Sequence, residues 1–233
     1  MEFLAAGFIE AWRLIISLDA AAYSALWVSL YSSSVSVAIA LAIGMPLGFL
    51  LGYYDFPLRK SIRAVVDTLM AVPTVVVGLL VFSLLTYQGP LGQFRLLYTI
   101  EGIIIGQTLL ALPIVASLTA TAVEGLDRRL YDTLLTLGAR GMQMVRTVLF
   151  EARYAMLGVM LVAYSRIVAE VGIAMMIGGN INFHTRTLTT AIALETGKGE
   201  FALGIALGIF LVAIALILNA GLSRFKSKAV RAR

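Results

Sequence analysis

Residues 20–54 read AAAYSALWVSLYSSSVSVAIALAIGMPLGFLLGYY. These 35 residues contain no Asp, Glu, Lys, Arg or His. About 20 apolar residues suffice for a helix to cross roughly 30 Å of hydrocarbon. The run exceeds one crossing, and its first turns, Ala20–Leu26, are read as interfacial. Three more such runs follow, Thr68–Phe94, Gly102–Val123 and Phe201–Ser223, of 27, 22 and 23 residues. A fifth apolar stretch, Tyr154–Gly178, is interrupted by Arg166 and Glu170. None alternates in polarity or stops near 10 residues, which excludes a membrane barrel. The expected fold is all-α: one integral membrane domain over 1–233 with five transmembrane helices.

Composition agrees. The chain is 60% hydrophobic and 13% charged, against about 45–50% and about 25% in soluble domains, and its mean hydropathy is +0.94. With no cysteine and one histidine, a disulfide framework, a thiolate metal site and a histidine metal centre are excluded, and no cofactor is expected.

The charges organise the chain. Of 18 Lys and Arg, 13 fall in Asp55–Asp67, in Glu124–Arg153 and beyond residue 223. Only Arg13, Arg95, Arg186 and Lys198 fall in the opposite loops. Cytoplasmic loops carry the Lys/Arg excess, so the N-terminus is expected outside, with the basic tail 224–233 in the cytoplasm. The net charge of +5 then reflects topology and contact with anionic membrane lipid, not nucleic-acid binding. Residues 1–22 lack the basic start of a signal peptide. Phe3, Phe8, Trp12, Ile15 and Ile16 fall near one helical face, as in an interfacial amphipathic helix.

Several features inside the runs carry packing or chemistry. Gly44, Gly48 and Gly52 form a GxxxGxxxG ladder, and Gly102/Gly106 and Gly204/Gly208 repeat the spacing. Such faces let helices approach closely in lipid, and packing within one subunit is favoured over a dimer contact. Pro46, Pro73 and Pro113 are expected to kink the first three spans. Arg166 and Glu170 stand four apart and can pair on one helical face, offsetting the cost of charge in lipid. They read either as the lining of a water-filled pathway, with Arg166 facing an anion, or as a structural pair. Gly178, Gly179 and Asn180 end that span. Thr185, Arg186, Thr187, Thr189 and Thr190 follow, suited to an oxyanion at a pathway mouth or forming a solvated loop.

The stretch 124–153 is the largest polar segment. Tyr131–Arg140 reads as a short amphipathic helix ended by a glycine turn, and Gln143–Glu151 as a second helix leading into the fourth span. A helix–Gly–helix element is suited to a groove in a soluble partner. No Walker-type GxxxxGK[ST], HExxH or GxSxG sequence is present, so any drive from ATP would come through another chain.

This element resembles the EAA loop of ABC importer permeases, with Gly138 at the glycine position and Asp132 at the acidic one. The Ala-Ala of that pattern is Thr133-Leu134 here, and its trailing proline is absent. Leu135–Ala139, Ala169–Gly172, Met175–Ile181 and Thr185–Thr196 are similar to the tungstate permeases of the type I ABC importers, as are Val72–Leu80 and Ala111–Thr119. Molybdate permeases share these features more loosely. The resemblance implies the MetI-like fold in the prokaryotic cytoplasmic (inner) membrane and a non-catalytic permease working as a homodimer. Its implied partners are two cytoplasmic ATP-binding subunits and an extracytoplasmic tungstate-binding protein. Asp132, Leu135, Leu137, Gly138, Ala139 and Arg140 would form the ATPase-coupling loop. Arg166, Glu170, Gly179, Asn180, Thr185 and Arg186 are the pathway candidates. Molybdate or sulfate import is the alternative cargo. A channel or carrier working without an ATPase, or an assembly or sensor subunit, is the alternative class.

Overall fold

A computed structural model describes residues 9, 12, 16, 17, 19–139 and 141–231. Most of the expected N-terminal helix lies outside the described residues, as do Arg140 and the side chains of the basic tail. The helices are α1 (Ala20–Tyr53), α2 (Arg59–Met70), α3 (Thr74–Leu85), α4 (Ile100–Glu124), α5 (Arg128–Thr136), α6 (Met142–Val168), α7 (Gly172–Gly178), α8 (Leu188–Gly197) and α9 (Phe201–Arg231). One 3-10 turn spans Gly92–Phe94. The described residues contain no strand.

Three helices, α1, α4 and α6, are long and apolar enough to cross a membrane. The pair α2 and α3 forms a fourth such segment, bent by 97°. The apolar run Thr68–Phe94 is therefore broken sharply near Pro73, and its first residues belong to α2. Proline disfavours helical geometry in the residue before it, and Pro73 sits at the N-cap of α3. Pro46 and Pro113 instead remain inside continuous helices. The fourth run is also redrawn. The second loop helix fuses with it as α6, which ends at Val168 just past Arg166, and Gly172–Gly178 follows as the separate helix α7.

α1 and α4 form the central pair. The first glycine ladder lies between them. A Cβ on Gly52 would stand 2.7 Å from the Ala120 carbonyl oxygen, and one on Gly48 would stand 2.6 Å from Thr119 Cβ and closer still to the Ala116 carbonyl oxygen. These glycines thus set an approach within one chain. A Cβ on Gly106 would come within 2.6 Å of Ile173 and Ile177, so α7 uses the second pair in the same way, whereas Gly208 faces open space. Gly48→Leu is expected to lower the unfolding temperature of the purified protein, at a cost of about 3 kcal/mol for overpacking. Gly208→Ala is expected to leave it unchanged.

Serines at helical spacing form a polar seam in this contact. Ser29, Ser32, Ser33 and Ser36 are all buried. Ser36 donates to Gln107 Oε1 at 3.1 Å across the α1–α4 interface. The apolar core around it joins Val37, Ala40, Leu110, Val115, Ile167 and Ile173.

α2 runs antiparallel along the last turns of α4. Arg59 donates to Glu124 at 2.7 Å, Arg63 donates to Thr121 at 2.5 Å, and Ser117 donates to Asp67 at 2.5 Å. Arg59 also donates to the Leu51 carbonyl at the end of α1, at 2.7 Å, and pairs with Asp55.

Candidate functional site

Two regions collect the candidate residues. The first is the loop between α4 and α6. The Asp127 side chain accepts the Arg129 N–H at 2.9 Å and caps α5. At the other end Gly138 adopts φ +77°. The Gly138 N–H bonds the Leu135 carbonyl at 3.0 Å and the Ala139 N–H bonds the Leu134 carbonyl at 2.9 Å, which is a Schellman closure. A left-handed residue is required there, and glycine adopts that geometry without a Cβ penalty. Gly141, at φ +53°, then starts α6.

This helix–glycine–helix element is anchored on one side and free on the other. Leu134 packs with Val145 and Met144 against Phe49, Val123 and Val148. Leu135, Leu137 and Met142 point outward and are 61%, 77% and 71% exposed. Gly138 and Asp132 are exposed too, and Ala139 is half-buried. Asp132 lines a cleft of about 510 Å³ with Asp55, Arg59 and Glu124. The loop thus offers leucine side chains and a compact turn to whatever docks there. Arg140 lies outside the described residues.

The second region centres on the break between α6 and α7. Arg166 donates to Glu170 Oε2 at 3.0 Å. The other carboxylate oxygen accepts the Gly172 N–H at 2.8 Å and the Ile173 N–H at 3.3 Å, capping α7. The Glu170 side chain is 2% exposed, whereas that of Arg166 is 45% exposed. One carboxylate therefore does two jobs: it neutralises the free N–H groups that begin α7 and it fixes an arginine that faces outward.

A hydroxyl network extends from Glu170. Thr189 donates to the Glu170 backbone carbonyl at 2.9 Å. Thr187 and Thr190 form a capping box that starts α8, and the Leu188 N–H reaches across to Ser29 Oγ of α1 at 2.8 Å. Thr190 donates to Asn180 Oδ1 at 3.0 Å, and Arg186 donates to the same oxygen at 3.2 Å. Thr185 donates to the Gly178 carbonyl and accepts the Ile181 N–H at 3.1 Å. Gly179, at φ +68°, ends α7 under the ring of Tyr98.

The six pathway candidates flank α7, Arg166 and Glu170 at its start and Gly179, Asn180, Thr185 and Arg186 past its end, in different states. The threonine-rich run is neither a solvated loop nor a row of free hydroxyls. Thr185, Thr187, Thr189 and Thr190 are buried, and their hydroxyls hold helix ends together. Thr185 and Glu170 offer no free surface. Arg166 retains exposed donors beside its ion pair, and Arg186 lines a groove with Asp19 and Glu195. The sequence reading missed Ser29, Thr187, Thr189 and Thr190 as elements of this frame; the helical spacing of serines 29, 32, 33 and 36 in the sequence is the signal for the first of them.

Comparison with known proteins places this geometry. Residues 44–229 match the family described as binding-protein-dependent transport system inner membrane component. The chain is 46% identical over 219 residues to the tungstate uptake system permease protein TupB of Campylobacter jejuni, covering 94% of this chain and 92% of that one. It is 37% identical to the protein of the same name from Peptoclostridium acidaminophilum, over 94% and 96%. A probable anion ABC transporter permease protein of Haloferax volcanii is 42% identical over 76% and 78%. An inward-facing structure of the MetNI methionine ABC transporter superposes with a TM-score of 0.74 at 18% identity, over 91% of this chain and 97% of that one. The all-helical arrangement is therefore that of MetI-like permeases, and the chain belongs to the family of inner membrane components of binding-protein-dependent transport systems.

Proposed function

We propose that this chain is the permease subunit of an ATP-driven importer that moves tungstate across the cytoplasmic membrane. It works as a homodimer with two cytoplasmic ATPase subunits and an extracytoplasmic binding protein. The observation that carries the coupling role is the exposed turn at Gly138, flanked by Leu135, Leu137 and Met142. The cargo follows from relatives named for tungstate uptake that align along nearly the whole chain.

The proposed topology has five spans, adding Phe201–Ile217, the apolar start of α9, to the three long helices and the bent pair. The N-terminus is outside, and the arginine-rich loops are cytoplasmic. The chain performs no bond chemistry. Closure of the ATPases on ATP pushes the Gly138 loop, and α6, continuous from Met142 to Val168, carries the push to the Arg166–Glu170 end. A lever of 27 residues spans about 40 Å. The two states are inward- and outward-facing arrangements of rigid helices.

In this reading Arg166 of each copy faces the pathway and offers a positive charge to the passing oxyanion, with Glu170 holding it in place. Gly179, Asn180, Thr185 and Arg186 frame the wall behind it. A paired arginine binds an anion weakly enough to release it, as a conducting site requires. Arg166→Leu is expected to insert, because the Gly172 and Ile173 N–H groups still hold Glu170, and to lower uptake about tenfold, the worth of one charge-assisted hydrogen bond. The assay is tungstate uptake into proteoliposomes carrying the permease, its ATPase and the loaded binding protein. Uptake at the unmodified rate would reduce the pair to packing. Uptake by the unmodified complex without ATP would mean a channel or carrier.

A further inference from the structure

A groove of about 400 Å³ opens on the bundle surface where α1, α4 and α6 meet, at the arginine-rich end. Its walls are Met45, Phe49 and Leu50 of α1 and Met142, Leu149 and Met156 of α6. Its volume falls within the usual range for ligand pockets. Leu50 and Leu149 are 47% and 42% exposed, so the groove faces outward. Two hydroxyl-bearing residues, Tyr54 and Thr119, also line it. Thr119 of α4 is 1% exposed, and its hydroxyl has no hydrogen-bond partner. Buried hydroxyls are normally paired, and this one lines a groove whose other walls are mostly apolar.

The depth and the rim indicate what fills it. Thr119 lies five residues before the end of α4 at Glu124, about 7.5 Å along the helix. That matches the boundary between headgroups and acyl chains, roughly 5–10 Å deep. Arg146 is exposed and flanks the strip formed by Met142, Val145 and Leu149 at helical spacing. Arg153 is engaged elsewhere, stacked on Phe150 at 3.7 Å and bonded to the Tyr154 hydroxyl at 3.1 Å.

We propose that this groove binds one acyl chain of an anionic phospholipid. The ester carbonyl accepts the Thr119 hydroxyl, and the headgroup phosphate faces Arg146. Met142 is the first residue of α6, directly after Gly141. A chain seated against it braces the start of α6 on α1 and fixes where the Gly138 turn stands. The site is independent of which solute is transported.

The test is native mass spectrometry of the purified permease released from nanodiscs of equal phosphatidylglycerol and phosphatidylcholine. One lipid per chain is expected to remain bound, with phosphatidylglycerol favoured about fivefold, the effect of one arginine at the membrane surface. Thr119→Val removes the hydroxyl at nearly constant volume and is expected to weaken retention of both lipids. Arg146→Gln is expected to abolish the preference while lipid is still retained. Leu149→Trp fills the groove and is expected to eliminate retention with helix content unchanged. Absence of retained lipid overturns the proposal, as does full retention in both Leu149→Trp and Thr119→Val. The chain has no cysteine, so Leu149→Cys supplies a further check. A disulfide between two copies would show that a second copy covers the groove, which also overturns the proposal.

Discussion

Gly138→Asp is expected to leave the protein inserted and folded while lowering ATP-coupled uptake by about 10- to 100-fold. The two halves of that expectation have different physical origins. A Cβ on Gly138 would meet nothing within 4 Å, so the substitution creates no clash. It does place a non-glycine residue at φ +77°, at a cost of about 1–2 kcal/mol. That is small beside the packing of α1 on α4, so insertion and overall fold persist. The carboxylate, however, lies in the exposed turn, directly after Leu137. A docked partner would bury it without a counter-charge, at about 1.4–2.8 kcal/mol, which corresponds to the stated 10- to 100-fold loss. Gly138→Ala carries the backbone cost alone and is expected to fall between the two. Immunoblots of membrane fractions report insertion, and stimulated ATP hydrolysis reports coupling. Full coupling in Gly138→Asp would exclude this turn as the docking element.

Glu170→Ala is expected to do the opposite, damaging the fold itself. It removes the cap of α7, leaves Arg166 without its partner in an apolar segment, and empties a site that is 3% exposed. Leaving the Gly172 and Ile173 N–H groups without their acceptor costs about 1–3 kcal/mol each, a large fraction of the stability of any domain. Thermal unfolding of the detergent-purified protein and its yield in membranes are the readouts. Glu170→Gln keeps an oxygen to accept the Gly172 and Ile173 N–H groups and loses only the charge, so it is expected to recover part of the stability. If Glu170→Ala melted with the unmodified protein, the carboxylate would not be the joint between α6, α7 and α8 that its hydrogen bonds indicate.

Much of this architecture is legible in the sequence because lipid imposes a simple rule. A segment without charges must satisfy its backbone internally, so Ala20–Tyr53 and Ile100–Glu124 emerge almost to the residue from charge-free runs. Gly138 is legible for the same kind of reason, since a glycine after an amphipathic turn signals a left-handed cap. The break at Pro73 is not. Pro46 and Pro113 look equivalent to it in sequence, yet both are accommodated inside helices. Tertiary contacts decide the difference. Arg63 and Asp67 fix α2 on α4, while Gly78 seats α3 against Met176 of α7, and the two anchors demand different directions. The threonine network is hidden for a related reason. The Leu188 N–H finds its partner in Ser29, 159 residues away, and no local pattern announces such a pair. Composition thus locates the helices, but the residues that join their ends are set by distant neighbours.

The central claim is tested most directly inside cells. The chain is deleted in its host, nanomolar tungstate and molybdate are supplied with excess sulfate, and cellular tungsten and molybdenum are quantified by elemental mass spectrometry. The account predicts loss of tungsten alone, restored by the intact chain and not by Gly138→Asp. Loss of both metals would instead indicate a shared oxyanion importer. Unchanged tungsten in a strain with no second importer would contradict the account.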